Sequence, residues 1–238
     1  KDLCTLVAGN AWKICDVSYR NDGRKLFEAT IRWFGHLDIV VNNAAVLGPV
    51  GPVVAVDAQA WQRAIEIDLY GVFLCSKEAL KHMMRQRSGK IINLSGGGAA
   101  SPRKNLSAYA SAKAAVVRFT ETLAEEVSEY NIQVNAIAPG AVSTAMTKDI
   151  IKHRREAGKS EVSVAQQCLA GRGASVDSAA GLAVFLASGA SNHITGKLIS
   201  AQWDDWRRMG PHIKKRILSS MYTLRRIDGK NFKEVRRA

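Results

Sequence analysis

Four short apolar runs constrain this chain most: LDIVVNNAA (37–45), KIINL (90–94), IQVNAIA (132–138) and KLISA (197–201). None alternates apolar with polar residues, so each reads as a strand buried on both faces. Between them lie stretches of helical periodicity. Residues 24–34 carry Phe27, Ile31 and Phe34 at i, i+4, i+7; 58–87 is long and amphipathic; 107–130 follows; 176–187 is apolar on most faces. Buried strands alternating with helices predict an α/β chain with a doubly wound parallel sheet. The 238 residues, 47% apolar and 23% charged, suit one domain with a full core. Ligands of such sheets sit at the carboxyl ends of the strands, here the segments NNAA, NLSGGG and APG.

Behind the second run stands NLSGGGAASPRKNLSAYASAK (93–113). A phenol with a pKa near ~10 is a poor proton donor or acceptor at neutral pH. Four residues after Tyr109, on the same helical face, Lys113 brings an ammonium that favours the phenolate. The pair reads as an acid/base group with its activator.

The order CDVS (15–18), NNAA (42–45), Tyr109-x-x-x-Lys113 and APGAVST (138–144) resembles the short-chain dehydrogenase/reductase superfamily. The resemblance runs over residues 15 to about 201. It implies a Rossmann-like dinucleotide-binding domain over 1–201 and an enzyme that moves a hydride between NAD or NADP and a carbonyl/alcohol substrate. It makes Tyr109 the acid/base and Lys113 both its activator and a ribose ligand. Asp16 and Val17 would flank the adenine, Asn42 and Ala44 the dinucleotide, and Pro139, Gly140 and Thr144 the nicotinamide. A homodimer or homotetramer is expected. The alternative is a non-catalytic dinucleotide-binding or scaffold protein.

Three departures qualify the resemblance. No glycine-rich turn precedes Asp16, where the family holds the pyrophosphate. A piece of roughly 40 residues is expected to be missing, from the molecule or only from this sequence. The second is favoured, because a sheet without its central strands would fold badly. Where the family has an active-site asparagine, Asp68 stands; beside Lys113 it is expected to stay ionised and to pair with it directly or through water. Finally, strand alignment puts the family's catalytic serine at Gly96, with Ser95 one residue early. Neighbouring strand side chains face opposite ways. Either Ser95 turns inward at a bend, or backbone N–H groups at Gly96 to Gly98 hold the carbonyl oxygen, or catalysis is lost.

The remaining composition narrows the function. Cys4, Cys15, Cys75 and Cys168 are scattered, and no histidine pair has metal-ligand spacing, so no metal is expected. The opening KDLCTLVAGN has no apolar leader and no run approaches a membrane span, which leads to a cytoplasmic expectation. The net charge is +13, and residues 203–238 hold 11 Lys/Arg against 4 Asp/Glu, a net of +7. That basic extension, 202–238, is expected to pack on the same domain. It suits an anionic substrate, an acidic carrier protein, a membrane surface or a solvated tail; without aromatic interleaving, nucleic acid is not expected. The polar, basic stretch 144–173 reads as a lid at the strand ends.

Overall fold

The computed structural model describes residues 11, 13–210 and 220–226. The segment KDLCTLV (1–7) and most of the basic tail fall outside the described residues. Four parallel strands stand in sequential order: β1 (Ile39–Asn42), β2 (Gly89–Leu94), β3 (Ile132–Ala138) and β4 (Leu198–Ser200). Asn42 lies level with Asn93, and Leu94 with Ile137, so the strand ends form one rim.

Period-two alternation assigns the two faces. Ile91 and Val134 point to one cluster with Phe27 of α1 (Arg20–Phe34), Ala79 and Met83 of α3 (Gly71–Gln86), and Leu123 of α4 (Ser107–Glu126). Ile92 and Ile137 point to the other, with Leu182 and Leu186 of α8 (Val176–Ala187), Ile199 and Trp206. Both faces are therefore covered, as the doubly wound reading requires.

A buried polar ladder fixes helices to the strand ends. The Asn42 amide donates to Asn93 Oδ1 at 2.8 Å and to Ser76 Oγ of α3 at 3.2 Å. Asn93 then donates to Thr120 Oγ1 of α4 at 2.8 Å, and Thr120 to the Val116 carbonyl at 2.8 Å. Paired in this way, side chains that would be costly in the core instead set the height of α4 above the sheet.

Three elements differ from the periodicity. The first strand is shorter than its apolar run, and Ile39 and Val41 are 43% and 46% exposed. Phe34 is exposed too, at the last turn of α1 before Gly35 (φ 79°) ends the helix. The long helix 58–87 is interrupted: α2 (Ala58–Ile65) passes through a π turn (Glu66–Tyr70), where the Gly71 N–H donates to the Glu66 carbonyl five residues back, and continues as α3.

Residues 144–173 fold as α5 (Ala145–Lys152), α6 (Arg154–Ala157), α7 (Lys159–Gln167) and a kinked turn (Cys168–Arg172) that reverses at Gly171, φ 77°. The base of this excursion is closed by the Ala174 N–H on the Ala141 carbonyl, at 2.8 Å. Its far side is tied to the loop before α4: Asn105 Nδ2 donates to the Glu156 carbonyl at 2.6 Å, and Arg103 grips Glu161. Beyond β4, residues 220–226 lie against the domain, with the Leu198 N–H on the Tyr222 carbonyl and the Leu224 N–H on buried Glu121. No helix among the described residues is long and apolar enough to cross a membrane.

Asn93→Ala would strip partners from both Asn42 and Thr120. A loss of about 1–3 kcal/mol in urea unfolding is expected; a variant as stable as the parent would show that the ladder does not hold α4.

Candidate active site

The site is assembled where β2 ends and α4 begins. Small residues let α4 come close: Ala108 and Ala112 are fully buried, and a side chain at Gly48 (φ 70°) would run into Ala64 and Ala108. Lys113, 3% exposed, donates to the Leu94 carbonyl at 3.0 Å. Its ammonium lies 3.8 Å from Asp68 Oδ2, an ion pair without a hydrogen bond. Asp68 is fully buried in the π turn; Oδ1 accepts the Val46 N–H at 2.8 Å, and Oδ2 has no hydrogen-bond partner. Burial pushes the Asp68 carboxyl up, against the pull of Lys113 and the Val46 N–H. Burial likewise draws Lys113 down, and Asp68 opposes it. Of the two pairings expected from the sequence, direct or through water, the structure has an ion pair at 3.8 Å, while burial acts against the ionised carboxyl that the sequence reading expected.

Ser95 lines the same cavity as Tyr109, but its hydroxyl is used within the protein. Its hydroxyl donates to the Lys113 carbonyl at 3.1 Å, which fastens the strand end to α4. The geometry therefore speaks against Ser95 as the group that holds a substrate oxygen. The backbone at Gly96 is extended (φ 179°), a conformation open to any residue, but a Cβ there would overlap the Tyr109 hydroxyl oxygen. Space, not the dihedral angle, disfavours a side chain here, and the end of the tyrosine must move to admit one. The tyrosine hydroxyl rests on the position where alignment places the family's serine.

The phenol is shaped by several charges. Burial pushes the Tyr109 pKa up, the Arg103 guanidinium draws it down, and Asp68 and Glu161 add to the rise. Arg103 stands 5.7 Å and Lys113 5.8 Å from the centre of the ring. Arg103, which sequence reasoning missed, favours the phenolate here, although it is itself paired with Glu161 as Lys113 is with Asp68.

A cavity of about 500 Å³ opens beside this pair. Of the residues singled out from the sequence, Ser95, Tyr109, Lys113, Pro139, Gly140 and Thr144 line it. Asn43, adjacent to exposed Ala44, lines it as well. Asp68 stands behind Lys113. The Asn42 side chain faces inward, spent on Asn93 and Ser76, so it supports the strand end and offers no amide to the cavity. Asp16 and Val17 do not line the cavity. Asp16 accepts from the Ser18 N–H and hydroxyl and from Arg63 Nη2, bonds that hold its carboxyl below the usual range, with Ser18 the larger influence. Val17 packs toward Gly71 and the α1–α3 core. The rest of the lining is largely apolar: Leu47, Leu94, Met146, Ile150, Val164 and Val176. Several of these belong to α5 and α7, so the 144–173 excursion forms a wall of the cavity.

These elements define a doubly wound α/β domain with a tyrosine–lysine pair at the carboxyl rim of its sheet. Residues 3–202 match the family described as enoyl-(acyl carrier protein) reductase. Cis-4-hydroxycyclohexanecarboxylate dehydrogenase of Sinomonas cyclohexanicum is 35% identical over 189 residues, 79% of this chain and 74% of the relative. The 3-oxoacyl-(acyl carrier protein) reductase of Thermotoga maritima is 31% identical over 186 residues, 78% of this chain and 73% of its own length. Among solved structures, NAD+-bound xylitol dehydrogenase superposes with a TM-score of 0.73 at 26% identity, covering 79% of this chain and 76% of that one. The chain belongs to the short-chain dehydrogenase/reductase superfamily.

Two substitutions separate the neighbours of Tyr109. Gly96→Ala is expected to push the hydroxyl off the strand end and slow any reaction that uses it by about 100-fold. Ser95→Ala should stay within a few-fold of the parent; if it is as damaging as Gly96→Ala in steady-state turnover, Ser95 belongs in the chemistry after all.

Proposed function

We propose that this chain is an NAD(P)-dependent oxidoreductase that interconverts a carbonyl and an alcohol, with Tyr109 as acid/base. The observation that carries the reading is that Tyr109, Lys113 and the Pro139–Gly140–Thr144 bend share one cavity. That the relative xylitol dehydrogenase is NAD+-bound supports the cofactor. The residues fit the group in kind: a buried ammonium, an asparagine and a backbone bend at the strand ends leave an open, mostly apolar volume. Asn43, Lys113, Pro139, Gly140 and Thr144 would hold the nicotinamide half. Asp16, Val17 and Ala44 remain candidates toward the adenine side, through the backbone or a surface contact.

Bound there, the nicotinamide supplies or accepts the hydride. Tyr109 gives its hydroxyl proton to the carbonyl oxygen during reduction, or takes the alcohol proton as phenolate during oxidation. Lys113 and Asp68 stand behind it as a matched pair of charges. With the Ser95 hydroxyl on the Lys113 carbonyl and Gly96 to Gly98 outside the cavity lining, a second hydrogen bond to the substrate oxygen requires the glycine turn to close toward Tyr109.

The lining supports an uncharged substrate with an apolar body. Both cations in the wall are already paired, Arg103 with Glu161 and Lys113 with Asp68. An anionic substrate group would therefore stay at the rim. For assembly we favour a homo-oligomer, supported by exposed Tyr70 and Phe73, stacked at 5.8 Å on the outer side of the π turn and α3. A cytoplasmic location and a basic extension belonging to the same domain complete the reading.

Titration of the full-length protein with NADH and NADPH by fluorescence should saturate, and Tyr109→Phe should retain that binding while losing turnover on a ketone panel. No saturable binding of either nucleotide would sink the proposal. Because burial raises the Tyr109 pKa, reduction should proceed at neutral pH and alcohol oxidation should rise as the medium becomes alkaline. Asp68→Asn removes a carboxylate that raises the phenol, so the rising limb for oxidation should move to lower pH; an unmoved profile would show that Asp68 does not reach Tyr109.

A further inference from the structure

The contact between Arg103 and Glu161 lies outside the family pattern carried by the motifs. Arg103 sits in the loop between the glycine turn and α4, and Glu161 in the first turn of α7, 58 positions later. The guanidinium meets the carboxylate in fork fashion: Nε donates to Oε1 at 2.6 Å, and Nη2 to Oε2. The two side chains are only 23% and 12% exposed. A paired, planar contact of this kind, held away from water, fixes geometry far better than a surface ion pair. The same guanidinium lies 5.7 Å from the centre of the Tyr109 ring and lines the cavity.

We propose that Arg103 and Glu161 are positioning residues: their ion pair latches α7 over the cavity and, through the placement of its two charges, sets the field on the Tyr109 hydroxyl. Two features support the latch. Asn105 makes a second tie to the excursion through the Glu156 carbonyl, at 2.6 Å. Between the two tied points lies Gly158 at φ 88°, so the backbone turns sharply there. The field follows from the charges around the ring. Lys113 faces it from its own helix, Asp68 from the π turn, Arg103 from the preceding loop and Glu161 from α7. Arg103 lowers the phenol pKa and Glu161 raises it. Closure of α7 brings the carboxylate to the guanidinium and so tempers the effect of Arg103 on the phenol. An opened latch would leave the arginine unmatched beside the tyrosine.

The purpose of this device rests on Tyr109 being the acid/base group, but its test does not need turnover. The ionisation of Tyr109 is read at 295 nm as the difference between each variant and the same variant carrying Tyr109→Phe, in the full-length protein. Arg103→Gln should move the midpoint to higher pH and Glu161→Gln to lower pH, each by on the order of one pH unit. Both should also speed limited proteolysis within residues 153–161. A purely structural tie predicts faster proteolysis with no opposed shift, so midpoints that move together or stay still would overturn the proposal. Should Arg103→Gln fail to fold, Arg103→Lys keeps the charge and loses the fork. It should loosen α7 while holding the midpoint near that of the parent, and a large upward shift would also overturn it. A folded parent that titrates in this way but reduces no ketone would refute the oxidoreductase reading and leave the latch standing.

Discussion

A buried ammonium is the constraint around which the rim of this sheet is built. Lys113 is almost wholly withdrawn from water, a placement that is costly unless the charge is met on several sides. The carbonyl at the last residue of β2 meets it from below, and Asp68 meets it from the side. Asp68 is in turn held by a backbone N–H from the segment after β1. A strand end, a π turn and a loop are thus arranged about one nitrogen. Tyr109, a helical turn earlier, inherits its place from that arrangement.

The outline of the fold was legible because burial on both faces writes itself into short apolar runs, and the tyrosine–lysine spacing because it is local. What escaped depends on contacts that no period encodes. The direction of Ser95 is decided by a hydrogen bond to the Lys113 carbonyl across two elements. Asn42 was read as a cofactor contact, yet its amide is consumed by Asn93 and Ser76, partners 51 and 34 positions away. Arg103 and Glu161 gave no signal, since a basic residue in a loop and an acidic one in a polar helix are individually ordinary. The first strand was drawn too long because nothing in the sequence marks where pairing ends: Asn42 is still paired, whereas Asn43 and Ala45 leave the sheet to line the cavity.

Charge is distributed by environment as well as by number. The chain carries a large positive excess, yet each cation in the cavity wall has its own carboxylate. Buried glutamate does similar work elsewhere: Glu121 takes Arg118, Arg225 and the Leu224 N–H, and so fastens residues 220–226 to α4. Among the described residues, these buried charges hold elements in register.

The π turn at residues 66–70 has a geometric result of its own. One added residue advances the helix by about 100°, so the stripe facing a neighbour before the turn is not the stripe facing it afterwards. Upstream, Trp61 reaches Ser107 at the start of α4; downstream, Ala79 and Met83 pack beneath the sheet. A single rod of helix thereby serves two surfaces that a regular one could not touch in succession, and the carboxylate of Asp68 emerges at the seam where the phase changes.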